Sequence, residues 1–228
     1  MTILHIETST NVCSVALSND GVCLFEISNN EGLNHAAMLS PFVQQAIGKM
    51  NELHLKPEAI AVSAGPGSYT GLRIGVSTAK GLCYGYKIPL IAVGTLEILA
   101  VDALKTGILN DHALLCPMID ARRMEVYSAL YTEKLELKRE VSAEIINENS
   151  FQEILDQQPV YFFGNGASKC KPLITHPNAR FIDSIEPLAK NMILTAEKKY
   201  AAHDFADVAY FEPFYLKEFQ ATIPKKLF

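Results

Sequence analysis

The sequence predicts an α/β fold in which one unit, ordered βββαβαβα, occurs twice, the second time with shortened helices. Three observations predict it. Two sets of three consecutive strand-like runs are each followed by alternating helix and strand patterns. The first strand of each set ends at an acidic residue before a polar turn, Glu7-Thr-Ser-Thr in one and Asp120-Ala-Arg-Arg in the other. A strand-glycine-helix junction also recurs, as Ala64-Gly65-Pro66-Gly67 and Phe163-Gly164-Asn165-Gly166. Consecutive antiparallel strands followed by helical crossovers build a mixed sheet covered by helices.

Taken in order, apolar runs at 3–7, 13–18 and 22–28 read as strands, the last two joined through Asn19-Asp20-Gly21 as a hairpin turn. A helix over 34–50 follows, with Ala36, Leu39, Val43, Ile47 and Met50 as a core stripe that Ala37, Met38 and Phe42 widen beyond one face. The β-branched run at 59–64 is a buried strand that Gly65-Pro66-Gly67 stops. Ser68 or Thr70 caps the next helix, which runs to about residue 86. A strand at 89–93 and a helix at 95–105 close the first unit. After a loop at 106–112 come strands at 113–119, 125–131 and 135–146, a helix at 150–156 and a strand at 160–163. A short helix after Gly166, a strand at 180–182 and a long helix at 187–202 complete the second. Two such units describe the duplicated ribonuclease-H-like architecture of the actin, hsp70 and sugar-kinase superfamily, in which nucleotide lies between the halves. The expected division is a subdomain at 1–108 and a reduced one at 109–228, whose last helix and tail pack back on the first.

Composition narrows the function classes. With 228 residues, 49% of them hydrophobic, the chain can bury a sizeable core. A net charge of −5 provides no basic field to hold nucleic acid unaided, so an RNA role needs a partner that supplies charge. Cysteines 13, 23, 83, 116 and 170 are odd in number, contain no Cys-x-x-Cys and fall mostly in apolar patterns, as reduced thiols do. The first residues lack a basic start, and no run of eighteen apolar residues occurs, so a cytoplasmic protein without a membrane span is expected.

The segment 63–81 carries most of the functional signal. A strand, a glycine turn and a helix N-terminus together favour negative charge, which makes Thr8, Gly65 and Gly67 candidates for a nucleotide or phosphate site. The spacing matches neither a Walker A loop nor the dinucleotide fingerprint, and a turn that only redirects the chain is the competing reading. Glu7 and Asp120, each at a strand end, are candidates for placing magnesium near phosphate across a cleft. The competing reading is two solvated acids.

Gly71, Gly75, Gly81 and Gly85 each cost roughly 1 kcal/mol relative to alanine inside a helix, so close packing must offset them. Gly71, Gly75 and Ala79 form one stripe, and Ser77, Gly81 and Gly85 another. One stripe meets the sheet; the other meets a neighbouring helix or a partner subunit. The wide stripe of the preceding helix favours an interface between chains, with Arg73 and Lys80 placed there or on a solvated face. His5 reads as a core residue, and His35 as exposed, interfacial or a cap. Histidine spacing supports no zinc site, and Ser77 lies mid-helix, where it cannot form a nucleophile elbow.

The segments Ile3-Leu-His-Ile-Glu-Thr-Ser-Thr, Gly65-Pro-Gly-Ser-Tyr-Thr-Gly-Leu-Arg-Ile-Gly, Ile119-Asp-Ala-Arg-Arg-Met-Glu-Val-Tyr and Glu212-Pro-Phe-Tyr-Leu resemble the bacterial TsaB family, also called YeaZ. The likeness covers nearly the whole chain. In the catalytic paralogue TsaD, two histidines four apart bind the metal; the matching stretch here is Thr95-Leu-Glu-Ile-Leu99, and neither threonine nor leucine replaces an imidazole. The resemblance therefore implies a non-catalytic partner that pairs with TsaD through its first two long helices. With the ATPase TsaE and a supplier of threonylcarbamoyl-AMP, the pair makes N6-threonylcarbamoyladenosine in tRNAs reading codons that start with A. The implied interface holds His35, Met38, Phe42, Gly71, Arg73, Gly75, Ser77 and Lys80, and a bulky residue at Gly75 is expected to abolish pairing while sparing the fold. No cofactor is required, with weak ATP or ADP and magnesium at a shared interface as the alternative; tRNA is reached through the complex, and a homodimer is the alternative assembly when the partner is missing. The competing functions are an ATP-dependent kinase or hydrolase of the superfamily and a glycoprotease-type peptidase. A tail with Lys225 and Lys226 is a further candidate for RNA contact.

Overall fold

The computed structural model describes residues 1–30, 32, 34–109 and 112–216, so the tail carrying Lys225 and Lys226 lies outside the described residues. The first sheet contains β1 (Thr2–Glu7), β2 (Cys13–Asn19), β3 (Val22–Asn29), β4 (Ala59–Ser63) and β5 (Leu90–Val93). Its helices are α1 (His35–Glu52), α2 (Tyr69–Tyr86) and α3 (Thr95–Lys105). The second contains β6 (Leu114–Asp120), β7 (Glu125–Tyr131), β8 (Leu137–Ile145), β9 (Val160–Phe163) and β10 (Ala179–Ile182). With it go α4 (Gln152–Leu155), 3-10 turns at Ser168–Cys170 and Ala189–Met192, and α5 (Ile193–Ala201).

Both sheets have one strand order. The first runs β3-β2-β1-β4-β5 and the second, read the same way, β8-β7-β6-β9-β10. β1 pairs antiparallel with β2 (His5 opposite Ala16) and parallel with β4 (Ile3 opposite Ala59). β6 repeats this, antiparallel with β7 (Asp120 opposite Val126) and parallel with β9 (Leu114 opposite Val160). A central strand covered on both faces is withdrawn from water on both, and all six residues of β1 are buried. Alternation sends Leu4 and Ile6 into a core with α1 and α2, and Ile3 into one with α3 and α5 through Ile98, Met192 and Ala196.

Helix α3 lies between the sheets. Ile98 faces the first, while Leu96, Leu99, Ala100 and Ala103 pack on Leu115, Ile119 and Phe163 of the second. The far face of the second sheet is covered by Phe151, Leu155 and Ile174 around the four-residue α4, where the first sheet has the eighteen-residue α1. Residues 206–211 return to the first sheet: Ala206 N–H donates to the Leu90 carbonyl at 2.8 Å, and Val208 and Phe211 pack into the α1/α2 core. The edge of β5 is thereby covered.

In α1 the buried side is His35, Leu39, Phe42, Val43, Ala46 and Met50, whereas Ala36 is exposed. Phe42 therefore belongs to the core and does not widen an outer face, because the sheet lies on the side where Phe42 and Ala46 follow one another by four residues. No helix of the described residues is long and apolar enough to cross a membrane.

Candidate functional site

The turn after β1 is the point on which the first half converges. Thr8 Oγ1 donates to the Gly71 carbonyl at 2.8 Å, Ser68 N–H donates to the Ser9 carbonyl at 2.6 Å, and His35 Nε2 donates to the Thr10 carbonyl at 2.6 Å. Ser68 caps α2, its hydroxyl accepting from Gly71 N–H at 3.3 Å. The glycines make this approach possible. A Cβ on Gly67 would lie 2.2 Å from the Ser9 carbonyl oxygen, one on Gly71 2.1 Å from the Thr8 carbonyl oxygen, and one on Gly75 2.2 Å from Thr8 Oγ1.

Glu7 ends β1 beneath that turn, fully buried. It accepts from Ser9 N–H through Oε1, while Oε2 has no partner among the described residues. Burial pushes its carboxyl up to about 7, against the opposing effect of hydrogen bonds from the Ser9 and Ser63 side chains and nearby backbone. His5, two residues earlier on the same strand, is also fully buried; its Nε2 meets Ser18 Oγ at 2.8 Å, and burial lowers it to about 3.

At the matching place in the second half, Asp120 Oδ1 accepts from Arg122 N–H at 2.9 Å and pairs with Lys169, whose ammonium also donates to the Arg123 and Glu125 carbonyls at 2.8 and 2.7 Å. Asp120 thus braces the β6–β7 hairpin. Between the two strand ends lies a cavity of about 130 Å³ walled by Thr10, Asn11, Leu99, Asn165 and Glu186 among others, well below the roughly 300 Å³ of a typical small-molecule pocket.

These residues do not fit a magnesium-bound phosphate. The Glu7 carboxyl is sealed from the cleft, Asp120 is held by Lys169, and the space over Gly67 is filled by the Ser9 carbonyl, which also takes the N–H of Ser68. Within this chain, the positions expected to form a phosphate cradle, Glu7, Thr8, Gly65, Gly67 and Asp120, are engaged in close packing of turn on turn and in an ion pair. Gly65, at φ +100°, is roofed instead by the Phe214 carbonyl, 2.8 Å from where its Cβ would be. Thr95 and Leu99 are both buried, and no group of three or more His, Cys, Asp or Glu able to hold a metal ion occurs among the described residues.

The helix residues expected at an interface separate into three sets. His35, Phe42, Gly71 and Gly75 are buried within this chain. Met38 is half-buried against the α1/α2 core, and Lys80 is half-buried with its ammonium donating to the Ala209 and Phe211 carbonyls at 2.8 and 3.2 Å. Arg73 and Ser77 are exposed, Arg73 bonding Tyr69 Oη at 3.1 Å. Of the two stripes, Gly71-Gly75-Ala79 is therefore the inner one. Ser77, Gly81 and Gly85 form the outer one, and a Cβ added at Gly81 or Gly85 would meet nothing among the described residues within 4 Å. Beside it, α1 exposes Ala36, Ala37, Ser40, Pro41, Gln44 and Gly48. The sequence signal for the two added glycines is Leu72-Val76-Ala79-Cys83, an apolar stripe on the side of the helix opposite Ser77-Gly81-Gly85.

Comparison with known proteins places this geometry. Residues 29–225 match the family model described as TsaD: tRNA N6-adenosine threonylcarbamoyltransferase. The chain is 34% identical over 183 residues to a tRNA threonylcarbamoyladenosine biosynthesis protein TsaB from Bacillus subtilis, covering 76% of this chain and 75% of that one. It is 26% identical over 226 residues to the TsaB of Haemophilus influenzae, covering 95% and 94%. A solved structure from Pseudomonas aeruginosa, described as an uncharacterized protein with similarity to peptidase YEAZ, superposes with a TM-score of 0.80 at 26% identity, covering 95% of this chain and 99% of that one. The α/β architecture of mixed sheets under helices is that of the actin, hsp70 and sugar-kinase-like superfamily.

Proposed function

Because the chain belongs to the TsaB/YeaZ family, non-catalytic paralogues of TsaD, we propose that it is the partner of a TsaD in forming N6-threonylcarbamoyladenosine in tRNAs that read codons starting with A. Its contribution is a docking face on α1 and α2. The observation that carries this reading is the outer stripe Ser77-Gly81-Gly85: two glycines in one exposed helix face cost about 1 kcal/mol each, and nothing among the described residues uses the space they leave open. A partner helix brought close to a bare backbone gives those glycines a purpose. The interface then holds Arg73 and Ser77, with Gly81 and Gly85 replacing the inward-facing Gly71 and Gly75.

The duplicated ribonuclease-H-like organisation, with subdomains at 1–108 and 109–228, belongs to the same proposal. It is supported by the shared strand order and by the matching glycine junctions at 65–67 and 164–166. TsaE and tRNA engage the heterodimer, nucleotide binds at surfaces the partner completes, and the chain works in the cytoplasm. A kinase-like reading lacks its carboxylates, since Glu7 is buried and Asp120 is paired.

Two measurements test it. Mixing the purified chain with TsaD, TsaE, tRNA and threonylcarbamoyl-AMP, and omitting one component at a time, is expected to lose product when this chain is left out and to yield none from it alone. Product formed without it overturns the proposal. Gly81→Leu is expected to raise the unfolding midpoint of the isolated chain slightly, through helix propensity, while weakening the heterodimer at least about a hundredfold, as overpacking of about 3 kcal/mol at a tight contact requires. Wild-type affinity for TsaD in a stably folded Gly81→Leu chain would falsify the docking face.

A further inference from the structure

The segment after α5 is braced to α2, to β5 and to the turn after β4. Ala206 N–H donates to the Leu90 carbonyl at 2.8 Å, and Phe214 N–H donates to the Ala64 carbonyl at 2.7 Å. The Tyr215 ring lies 4.8 Å from that of Tyr69, and Lys80 clasps the carbonyls of Ala209 and Phe211. Between these points the chain is stiffened by Asp207, whose Oδ1 accepts from the N–H groups of Ala209 and Tyr210 and whose carbonyl accepts from Phe211. Val208 and Phe211 point into the core.

Tyr210 stands on this rigid footing at 85% exposure, and Tyr84, one turn beyond Lys80 on α2, is 84% exposed. They are the two most exposed of the large apolar side chains among the described residues. One is held beside Lys80 by the clasp, and the other is its i+4 neighbour on the helix. Gly81 follows Lys80 directly. Both aromatic side chains thus rise on the Lys80 flank of the bare stripe, on backbone that is already braced within the chain. Tyrosine at the margin of a close contact gives much buried area for little lost rotamer freedom.

We propose that residues 206–216 form a third element of the docking surface, with Tyr84 and Tyr210 as aromatic anchors that grip a TsaD helix lying over Gly81, and with Lys80 as the positioning residue that holds Tyr210 in place. The inference rests on the heterodimer reading, and the occupant it commits to is the TsaD subunit, because the anchors are continuous with the Ser77-Gly81-Gly85 stripe. Lys80 thereby acts through the returning segment and not by touching the partner.

Titration calorimetry of the full chain against purified TsaD tests this. Tyr84→Ser and Tyr210→Ser are each expected to weaken binding at least about tenfold with no change in the unfolding midpoint, since neither side chain is buried in the free chain. Lys80→Met is expected to weaken binding and to speed amide exchange at 209–211, and Lys80→Arg to restore both. If both tyrosine variants bind with wild-type affinity while Gly81→Leu does not bind, the third element is wrong and the helix face stands; if Gly81→Leu binds normally, the reading beneath it fails. A loss confined to self-association, read by sedentation velocity of the chain alone, identifies a second copy as the occupant and overturns the proposal.

Discussion

Gly71→Ala is expected to lower the stability of the isolated chain by about 3 kcal/mol or more, while Gly81→Ala, ten residues along the same helix, is expected to raise it by about 1 kcal/mol. Both substitutions bring the same gain in helix propensity, so the difference reports what each Cβ meets. At Gly71 it would come 2.1 Å from the Thr8 carbonyl oxygen and 3.1 Å from His35 Cδ2. Backbone on one side and a buried ring on the other leave no flexible tip to move aside. Relief requires α2 to lift from the β1 turn, breaking the Thr8-to-Gly71 hydrogen bond and disturbing the Ser68 cap. At Gly81 the new methyl group meets no atom of the described residues within 4 Å. Thermal unfolding of the two variants should separate by roughly 10 °C, at about 2–4 °C per kcal/mol for a chain of this size. Equal midpoints would show that the turn and helix are not in the close contact described. The same geometry reverses the expectation that a bulky residue at Gly75 spares the fold, because a Cβ there lies 2.2 Å from Thr8 Oγ1.

The contrast between these glycines also shows where sequence reasoning stops. Two small-residue stripes on one helix follow from a spacing of four, and that much is visible in the letters. Which stripe faces inward depends on the apolar positions beside them, and Leu72, Val76, Ala79 and Cys83 point the helix so that Gly71 and Gly75 fall against the turn. The strands were legible for a simpler reason. β4 is an apolar run closed by Ser63 and β1 a mainly apolar one around His5, because each is covered on both faces. The candidate phosphate site was not legible, since a glycine turn that admits an anion and one that admits another carbonyl share the same composition. The Ser9 carbonyl over Gly67 is a tertiary fact. Lys80 is similar: a lone cation on a helix gives no sign of carbonyls that arrive from 129 and 131 residues later in the chain.

Replacing Glu7 by Gln is expected to change the pH dependence of stability, and the sign follows from two buried groups on one strand. Glu7 has its pKa raised from 4.5 to about 7, so the folded chain holds that proton more tightly than the unfolded one. Its contribution is fully present below about pH 4.5 and is withdrawn as pH rises to about 7. His5 is lowered from 6.5 to about 3. The unfolded chain therefore takes up the imidazole proton first, and stability is lost as pH falls from about 6.5 toward about 3. Between about pH 4.5 and 6.5 the two slopes oppose one another, and their combined contribution is nearly level. In Glu7→Gln only the His5 slope remains, so the variant should gain stability steadily from pH 4.5 to 6.5 relative to the wild type. By pH 8 that relative gain should be on the order of 3 kcal/mol. His5→Gln should do the converse, removing the loss in acid and leaving a decline toward pH 7. Urea unfolding of the three proteins from pH 4 to pH 8 reads these differences directly, with the exposed groups common to all three cancelling. Parallel curves for the wild type and Glu7→Gln would mean that the carboxyl titrates as an exposed one does, and that β1 ends in water and not beneath the turn on which α1 and α2 pack.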